Sequence, residues 1–295
     1  MTASIIDGNA IARQIRDEVQ ADIERLRTRG VDPGLVVVLV GENPASVSYV
    51  RGKTRDAEEI GIRSETLRLP DTTTQEELLS VVRRLNDDPT WHGILVQLPL
   101  PPQISESAVI DAVAPAKDVD GLTPVNVGRL FRGEPALTSC TPHGVQEILM
   151  RTGHDPAGKH VVICGRSNLV GKPLAGLLMQ KARGGNATVT ICHTGTPDIG
   201  EFTRRADIIV AAMGRPKAIT ADMVRQGAVV IDVGVNRIPD ATKKSGARLV
   251  GDVDFDAVSQ KALAITPVPG GVGPLTRAML LANTMIAAKG GPGAV

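Results

Sequence analysis

Aromatic side chains are scarce: the 295 residues include one Trp, one Tyr and three Phe, 2% of the chain. Base-stacking platforms and recognition surfaces built on Tyr and Trp are thereby excluded, and the core must be aliphatic. An excess of one charge is lacking as well. Lys plus Arg number 33 against 32 Asp plus Glu, a formal charge of +1, so no global field exists to hold a polyanion or an anionic membrane. A local anion site stays open. The longest apolar runs, such as LVVVLVG, are strand-sized and far below the roughly 20 residues that a membrane helix needs. The opening stretch MTASIIDGNAIARQIRDEV places apolar and charged residues at helical spacing and has no basic segment followed by an apolar run, so no signal peptide is expected. Three cysteines, Cys140, Cys164 and Cys192, have neither an even count nor metal-type spacing. A reducing compartment, hence the cytoplasm, is the expectation. The histidines His92, His143, His154, His160 and His193 lack ligand spacing, so no metal is expected.

What the chain has is alternation. From Leu35 onward, short Val/Ile/Leu-rich runs alternate with longer amphipathic segments, the pattern of βα units around a parallel sheet. One series comprises Leu35 to Gly41, a helix from about Ser46 to Ile60, Ser64 to Leu69, a helix from Gln75 to about Asn86, and Gly93 to Pro99. A second comprises His160 to Gly165, a helix after Gly171, Ala187 to Cys192, Asp207 to Gly214, and Ala228 to Gly234. Between them Pro115 to His143 carries four prolines, which places the domain boundary near Pro135 to Thr141. A last helix starts around Pro274, and GGPGAV reads as a frayed tail. The fold class is α/β, with two domains.

HVVICGRSNLVGKPLAGLLMQ is a buried strand, a glycine-bearing turn and a helix. Phosphate can sit on the free N–H groups at such a helix start while glycine lets the backbone approach. The spacing departs from the common G-x-G-x-x-G, since five residues separate Gly165 from Gly171, and by itself the segment is as well explained by a plain βα connection. The next strand ends in Cys192, His193 and Thr194, where an NAD site usually offers Asp or Glu to the ribose. A missing carboxylate, with Arg166 in the turn nearby, suits a 2′-phosphate and favours NADP over NAD. Taken singly, Arg166 reads equally as a solvated turn residue and His193 as a capped loop. Cys164 and Cys192 read as small buried hydrophobes.

In the first half, ENPASVSYVRGKTRDAEEIGI begins with an Asn-Pro turn and continues as a helix that puts Tyr49 and Lys53 on one face. A solvated stripe is the plain alternative. Against it, Tyr49 is the one tyrosine of the chain, and the helix follows the carboxyl end of LVVVLVG, where open α/β sheets place ligands. GILVQLPLP ends with Gln97 among apolar residues, and a carboxamide there needs hydrogen bonds from ligand or from neighbouring backbone. In PAKDVDGLTPVN, Asp118 and Asp120 flank Val119, and one of them can simply brace the turn. ITPVPGGVGPLT packs three prolines and three glycines, either a stiff loop presenting backbone to a ligand or a hinge.

These segments together resemble one family, the bifunctional methylenetetrahydrofolate dehydrogenase/methenyltetrahydrofolate cyclohydrolases. The pieces that carry the resemblance are YVRGK, GILVQLPLP, KDVDG, GRSNLVGKP and TPVPGGVGPLT, in the family's order, and the likeness runs nearly end to end. It implies two α/β domains flanking a cleft: a folate-binding catalytic domain over 1–138, an NADP-binding Rossmann-type domain over 139–268, and a loop and C-terminal helix over 269–295 that return to the first domain. It implies a homodimer formed through the nucleotide domains. It further implies oxidation of 5,10-methylenetetrahydrofolate, then hydrolysis to 10-formyltetrahydrofolate.

By that resemblance Lys53, Gln97, Tyr49 and Asp120 are the catalytic set, and Tyr49, Gln97, Asp120, Pro269, Gly270 and Gly271 meet the substrate. Gly165, Arg166, Ser167, Gly171, Thr194 and Val235 are expected to hold NADP, with Thr194 standing where many relatives have Ser. The chemistry is compatible with these residues. Hydride leaves a carbon flanked by two nitrogens, a step that needs alignment more than a base. Water then attacks that carbon, and Lys53 is the candidate general base. Two other readings fit parts of the chain. They are a two-domain NADP-dependent dehydrogenase of another small substrate, of the shikimate dehydrogenase type, and a non-catalytic dinucleotide-binding regulator.

Overall fold

The computed structural model describes residues 2–243 and 246–293. In chain order the elements are β1 (Ser4–Ile5), α1 (Gly8–Arg27), β2 (Gly34–Val40), α2 (Pro44–Glu59), β3 (Arg63–Leu69), α3 (Gln75–Asp87), β4 (Gly93–Val96), α4 (Glu106–Ala112), α5 (Pro124–Arg132) and α6 (Cys140–Arg151). They continue with β5 (His160–Cys164), α7 (Gly171–Leu178), β6 (Thr188–Cys192), α8 (Ile199–Thr203), β7 (Ile208–Ala211), β8 (Val229–Asp232), β9 (Asn236–Pro239), β10 (Ala247–Val250), α9 (Phe255–Val258), β11 (Ala264–Ile265) and α10 (Val272–Ala288).

Two compact units result. One contains Arg13–Cys140 and Arg277–Val295, the other Met1–Ala12 and Thr141–Thr276. The first is built on a three-stranded parallel sheet of order β3-β2-β4. Every residue of β2 is buried, as a central parallel strand covered on both faces requires. Its core joins Val36, Val38 and Val40 to Leu78, Val82, Ile94 and Val109, with Trp91, the one tryptophan, packed among them. Helix α3 starts at a capping box, Thr74 accepting from the Glu77 N–H while Glu77 accepts from the Thr74 N–H.

The second unit carries a six-stranded sheet of order β1-β11-β8-β7-β5-β6, parallel throughout. Val162, Cys164, Ile209, Val230, Ile265 and Cys192 lie in its core, so both cysteines are buried small hydrophobes there. β9 and β10 form a separate antiparallel hairpin. Sequence pattern finds the central strands; among the strands it misses β1, β11 and this hairpin, and it names none of the helices α4, α5, α6, α8 and α9. Two-residue strands have no readable period, and β9 contains Pro239.

The units differ from a division at 138 and 268. The first twelve residues and residues 269–276 cluster with the nucleotide strands because β1 pairs with β11 and Gly8 packs against the backbone of Gly271. A Cβ at Gly8 would collide with the Gly271 carbonyl. From Arg277 onward α10 belongs to the first unit, as a returning C-terminal helix should. Its end is closed by Gly290 and Gly291, whose N–H groups bond back to Ala287 and Ile286 rather than fraying. Ala294 and Val295 lie outside the described residues.

Candidate functional site

The lysine-bearing helix is aimed by its first turn. β2 ends at Val40, Gly41 turns the chain with φ 74°, and Asn43 caps α2 by accepting from the N–H groups of Ala45 and Ser46. Pro44 occupies the first helical position, where its missing N–H costs nothing. Tyr49 and Lys53 follow on one face. Tyr49 is 52% exposed and Lys53 is half-buried.

β4 runs parallel to β2, and the ladder continues one step past its end, with the Gln97 N–H bonded to Val38 O at 2.9 Å. This register delivers the Gln97 side chain to Lys53. Nζ of Lys53 donates to Gln97 Oε1 at 3.0 Å, and Gln97 Nε2 donates to Leu98 O at 2.6 Å. The carboxamide is thus half satisfied by neighbouring backbone and half by the ammonium.

The two aspartates divide their work. Asp118 Oδ1 accepts from Leu122 N–H at 3.1 Å, and Oδ2 accepts from Thr123 N–H at 2.8 Å and Asn126 Nδ2 at 2.9 Å. It braces the turn that starts α5. Asp120 lies beside Lys53 and the Cys140 thiol, whose Sγ donates to Val119 O at 3.2 Å. Burial pushes its carboxyl above the usual carboxylate range, while the Lys53 charge and the thiol hydrogen bond pull the other way. Gly121, with φ 68°, must be glycine, because a Cβ would collide with the backbone of Thr138 and Ser139. Lys117 of the same motif serves α3, its Nζ donating to the terminal carbonyls of Leu85 and Asp88 at 3.0 and 2.7 Å.

Sequence reasoning misses the supports. Asn283, buried on α10, donates through Nδ2 to Val119 O and Thr138 O, both at 2.8 Å, and so ties the Asp120 loop to the segment before Cys140. Asp56, 2% exposed on α2, receives Arg277 Nε at 3.2 Å and Arg16 at 3.8 Å. Arg277 passes beside Gly52, where a Cβ would stand 2.7 Å from its nitrogen. One signal was available for Asp56: it sits three residues after Lys53, a carboxylate on the inner side of an amphipathic helix.

In the nucleotide unit, β5 ends at Cys164 and the chain turns through Gly165, Arg166 and Ser167 to Gly171 and α7. The unusual glycine spacing has a steric basis. A Cβ on Gly165 would strike Ala212 O, and one on Gly171 would strike Gly165 O, so the turn folds onto its own start and onto the end of β7. Ser167 Oγ accepts from Val170 N–H at 3.1 Å. β5 and β6 pair Cys164 with Cys192, so Arg166 and Thr194 each lie two residues beyond paired strand ends, and both are exposed. Among the described residues Arg166 makes no ion pair, which leaves its guanidinium for an anion. His193 is the capped-loop residue, Nδ1 accepting from Gly195 N–H and its own N–H bonded to Thr196 Oγ1.

Val235 stands 51% exposed just past the carboxyl end of β8. Pro269 is exposed, Gly270 half-buried and Gly271 buried, and all three fall in the nucleotide unit rather than with Tyr49, Lys53, Gln97 and Asp120. Within its own unit the tight turn from Gly165 leads into the N-terminus of α7, which no side chain caps, with the exposed Arg166 in that turn, an arrangement that suits a dinucleotide phosphate. Among the described residues no His/Cys/Asp/Glu cluster suits a metal, and no helix is long and apolar enough to cross a membrane.

The fold and these residues define a class: a two-unit α/β protein with an NAD(P)-binding Rossmann-type unit and a second unit that presents a lysine, a carboxamide and a carboxylate together. Residues 6–120 match the tetrahydrofolate dehydrogenase/cyclohydrolase catalytic domain, and residues 139–291 match the NAD(P)-binding domain of the same enzymes. The chain belongs to the tetrahydrofolate dehydrogenase/cyclohydrolase family.

It is 59% identical to the bifunctional protein FolD of Dehalococcoides mccartyi (strain CBDB1) over 290 residues, 98% of each chain. Among solved structures it resembles the FolD methylenetetrahydrofolate dehydrogenase/cyclohydrolase of Campylobacter jejuni, with a TM-score of 0.92, 45% identity, and coverage of 98% of this chain and 99% of that one. The Trypanosoma brucei enzyme, solved with NADP and an inhibitor, gives a TM-score of 0.92 at 42% identity and covers 98% of both chains. The shikimate dehydrogenase and regulator readings find no support in these likenesses, which span both units.

Proposed function

We propose that the chain carries out NADP-dependent oxidation of 5,10-methylenetetrahydrofolate to the 5,10-methenyl compound and hydrolyses that compound to 10-formyltetrahydrofolate. The observation that carries this reading is the 3.0 Å contact from Lys53 Nζ to Gln97 Oε1, with Asp120 close enough for the lysine charge to oppose its burial. Gln97 holds one Nζ position and thereby fixes where the others point. As general base the Lys53 amine accepts a proton from water attacking the methenyl carbon: the new C–O bond forms as that O–H breaks and the C=N pair returns to nitrogen. The bond from that carbon to N5 then breaks as N5 takes up the proton and the 10-formyl group is left. Asp120 offers two coplanar oxygens to the paired N–H donors of a pterin edge. Tyr49, with its exposed ring on the same helix face, stacks or hydrogen-bonds beside the folate.

Gly165, Arg166, Ser167, Gly171, Thr194 and Val235 would hold NADP, which when bound supplies the hydride acceptor. Pro269, Gly270 and Gly271 present backbone to the substrate. The family resemblance also supports a homodimer through the nucleotide units and a cytoplasmic location. Sedimentation velocity of the purified chain tests the dimer.

The activity test is Lys53→Met. Hydrolysis of the methenyl compound, followed by its absorbance, should fall at least ~100-fold, the lower end of what a positioned proton-transfer group contributes. Folate binding should remain measurable. Unchanged hydrolysis would remove Lys53 from the chemistry.

A further inference from the structure

Two further aspartates are buried in the nucleotide unit: Asp232 at the carboxyl end of β8, and Asp252 two residues after β10, where it meets the chain leaving β7. Asp252 is fully buried, and Asp232, the last residue of β8, is 3% exposed. No lysine or arginine pairs with either among the described residues. Their oxygens are filled by N–H donors instead. Asp252 Oδ2 accepts from the N–H groups of Met213 (2.5 Å) and Gly214 (2.8 Å), and Oδ1 accepts from Arg215 N–H (2.9 Å) and Asn236 Nδ2 (2.8 Å). Asp232 accepts from the N–H groups of Gly234, Asp252 and Val253, each at 2.9 Å.

The space is closed around them. A Cβ on Gly251 would collide with the Asp232 carboxylate, and one on Gly234 with the Asp252 carboxylate. Placing two carboxylates side by side out of water is costly, and a hairpin return does not require it. What they hold is irregular backbone that no strand ladder can specify: Met213 to Arg215 after β7, and the residues on either side of Val235 after β8. Both stretches lie at the sheet edge where open α/β folds bind ligands. The first continues from Ala212, whose carbonyl fills the space beside Gly165.

We infer that Asp252, supported by Asp232, is a positioning residue for the dinucleotide: it fixes the 213–215 turn and the neighbours of Val235 in the shape that receives the cofactor. The inference rests on the NADP reading above. An Asn at 252 keeps the shape of the side chain but turns an N–H toward backbone N–H groups, so the turn must move.

The experiment measures NADP and methylenetetrahydrofolate kinetics, NADP binding by calorimetry, and methenyl hydrolysis, which uses no nucleotide, in the full-length chain and in Asp252→Asn. KM and Kd for NADP should rise about tenfold or more, as loss of charged hydrogen bonds would produce. The folate KM should stay within about twofold and hydrolysis should persist, a split that loss of fold would not give. Asn236→Ala removes one donor from a half-buried position and should raise the NADP KM about threefold, a weaker version of the same effect. It serves if Asp252→Asn does not fold. Unchanged NADP affinity in a folded Asp252→Asn, or in Asn236→Ala where the first variant is insoluble, overturns the inference. So does an equal loss of hydrolysis. A parent chain that forms no NADPH from methylenetetrahydrofolate overturns the underlying reading, a result distinct from either.

Discussion

Asp118 and Asp120 are separated by one residue, and the surroundings of each carboxylate set its use. Asp118 receives three N–H donors and becomes part of the backbone's own bonding. Among the described residues Asp120 receives no backbone donor, and it is left with the cost of burial, a lysine, the neighbouring Asp118 charge and a thiol. Since burial raises its carboxyl, its stabilising contribution is present below the unfolded value and is lost as pH rises through the raised one. Asp120→Asn should therefore be more stable than the parent at pH 8 and should lose that advantage by pH 4, as chemical denaturation at the two pH values will report. Folate affinity should fall at the same time. A variant that weakens folate binding without this crossover would show that the carboxylate is not strained by its site.

At the scale of elements, α10 does more than close the chain. Asn283 reaches the carbonyls of Val119 and Thr138 and so couples the helix to the Asp120 loop. Replacing it with Leu leaves the Thr138 carbonyl unpaired and the Val119 carbonyl with the Cys140 thiol alone, so unfolding free energy should drop by about 1–3 kcal/mol, measurable in urea. Hydrogen exchange at residues 119–122 should quicken with it. The lysine helix was largely legible beforehand, because Asn43, Pro44 and the Tyr49 to Lys53 spacing state a start and a face. The small strands β1 and β11 were not, because a two-residue pairing has no pattern until its neighbour is in place.

At the scale of the molecule, nucleotide recognition and folate chemistry are assigned to different units, and Arg166 should separate the two cofactors. Arg166→Gln should lower kcat/KM for NADP at least ~10-fold relative to that for NAD, the amount expected from losing one charge-assisted phosphate contact. An unchanged ratio would take Arg166 off the 2′-phosphate.

The sequence by itself determined the α/β class, the aliphatic core forced by so few aromatics, and the residues Tyr49, Lys53, Gln97, Asp120 and Arg166 as candidates. Local signals suffice for these, because caps, glycine turns and strand-length apolar runs act within a few residues of chain. Only the tertiary structure decided which aspartate braces a turn, what Gln97 bonds to, and that Asp56, Asn283 and the Asp232–Asp252 pair support the sites. Each of those outcomes depends on a hydrogen bond or ion pair between segments far apart in the chain, and such a partner exists only once the sheets have brought both ends together.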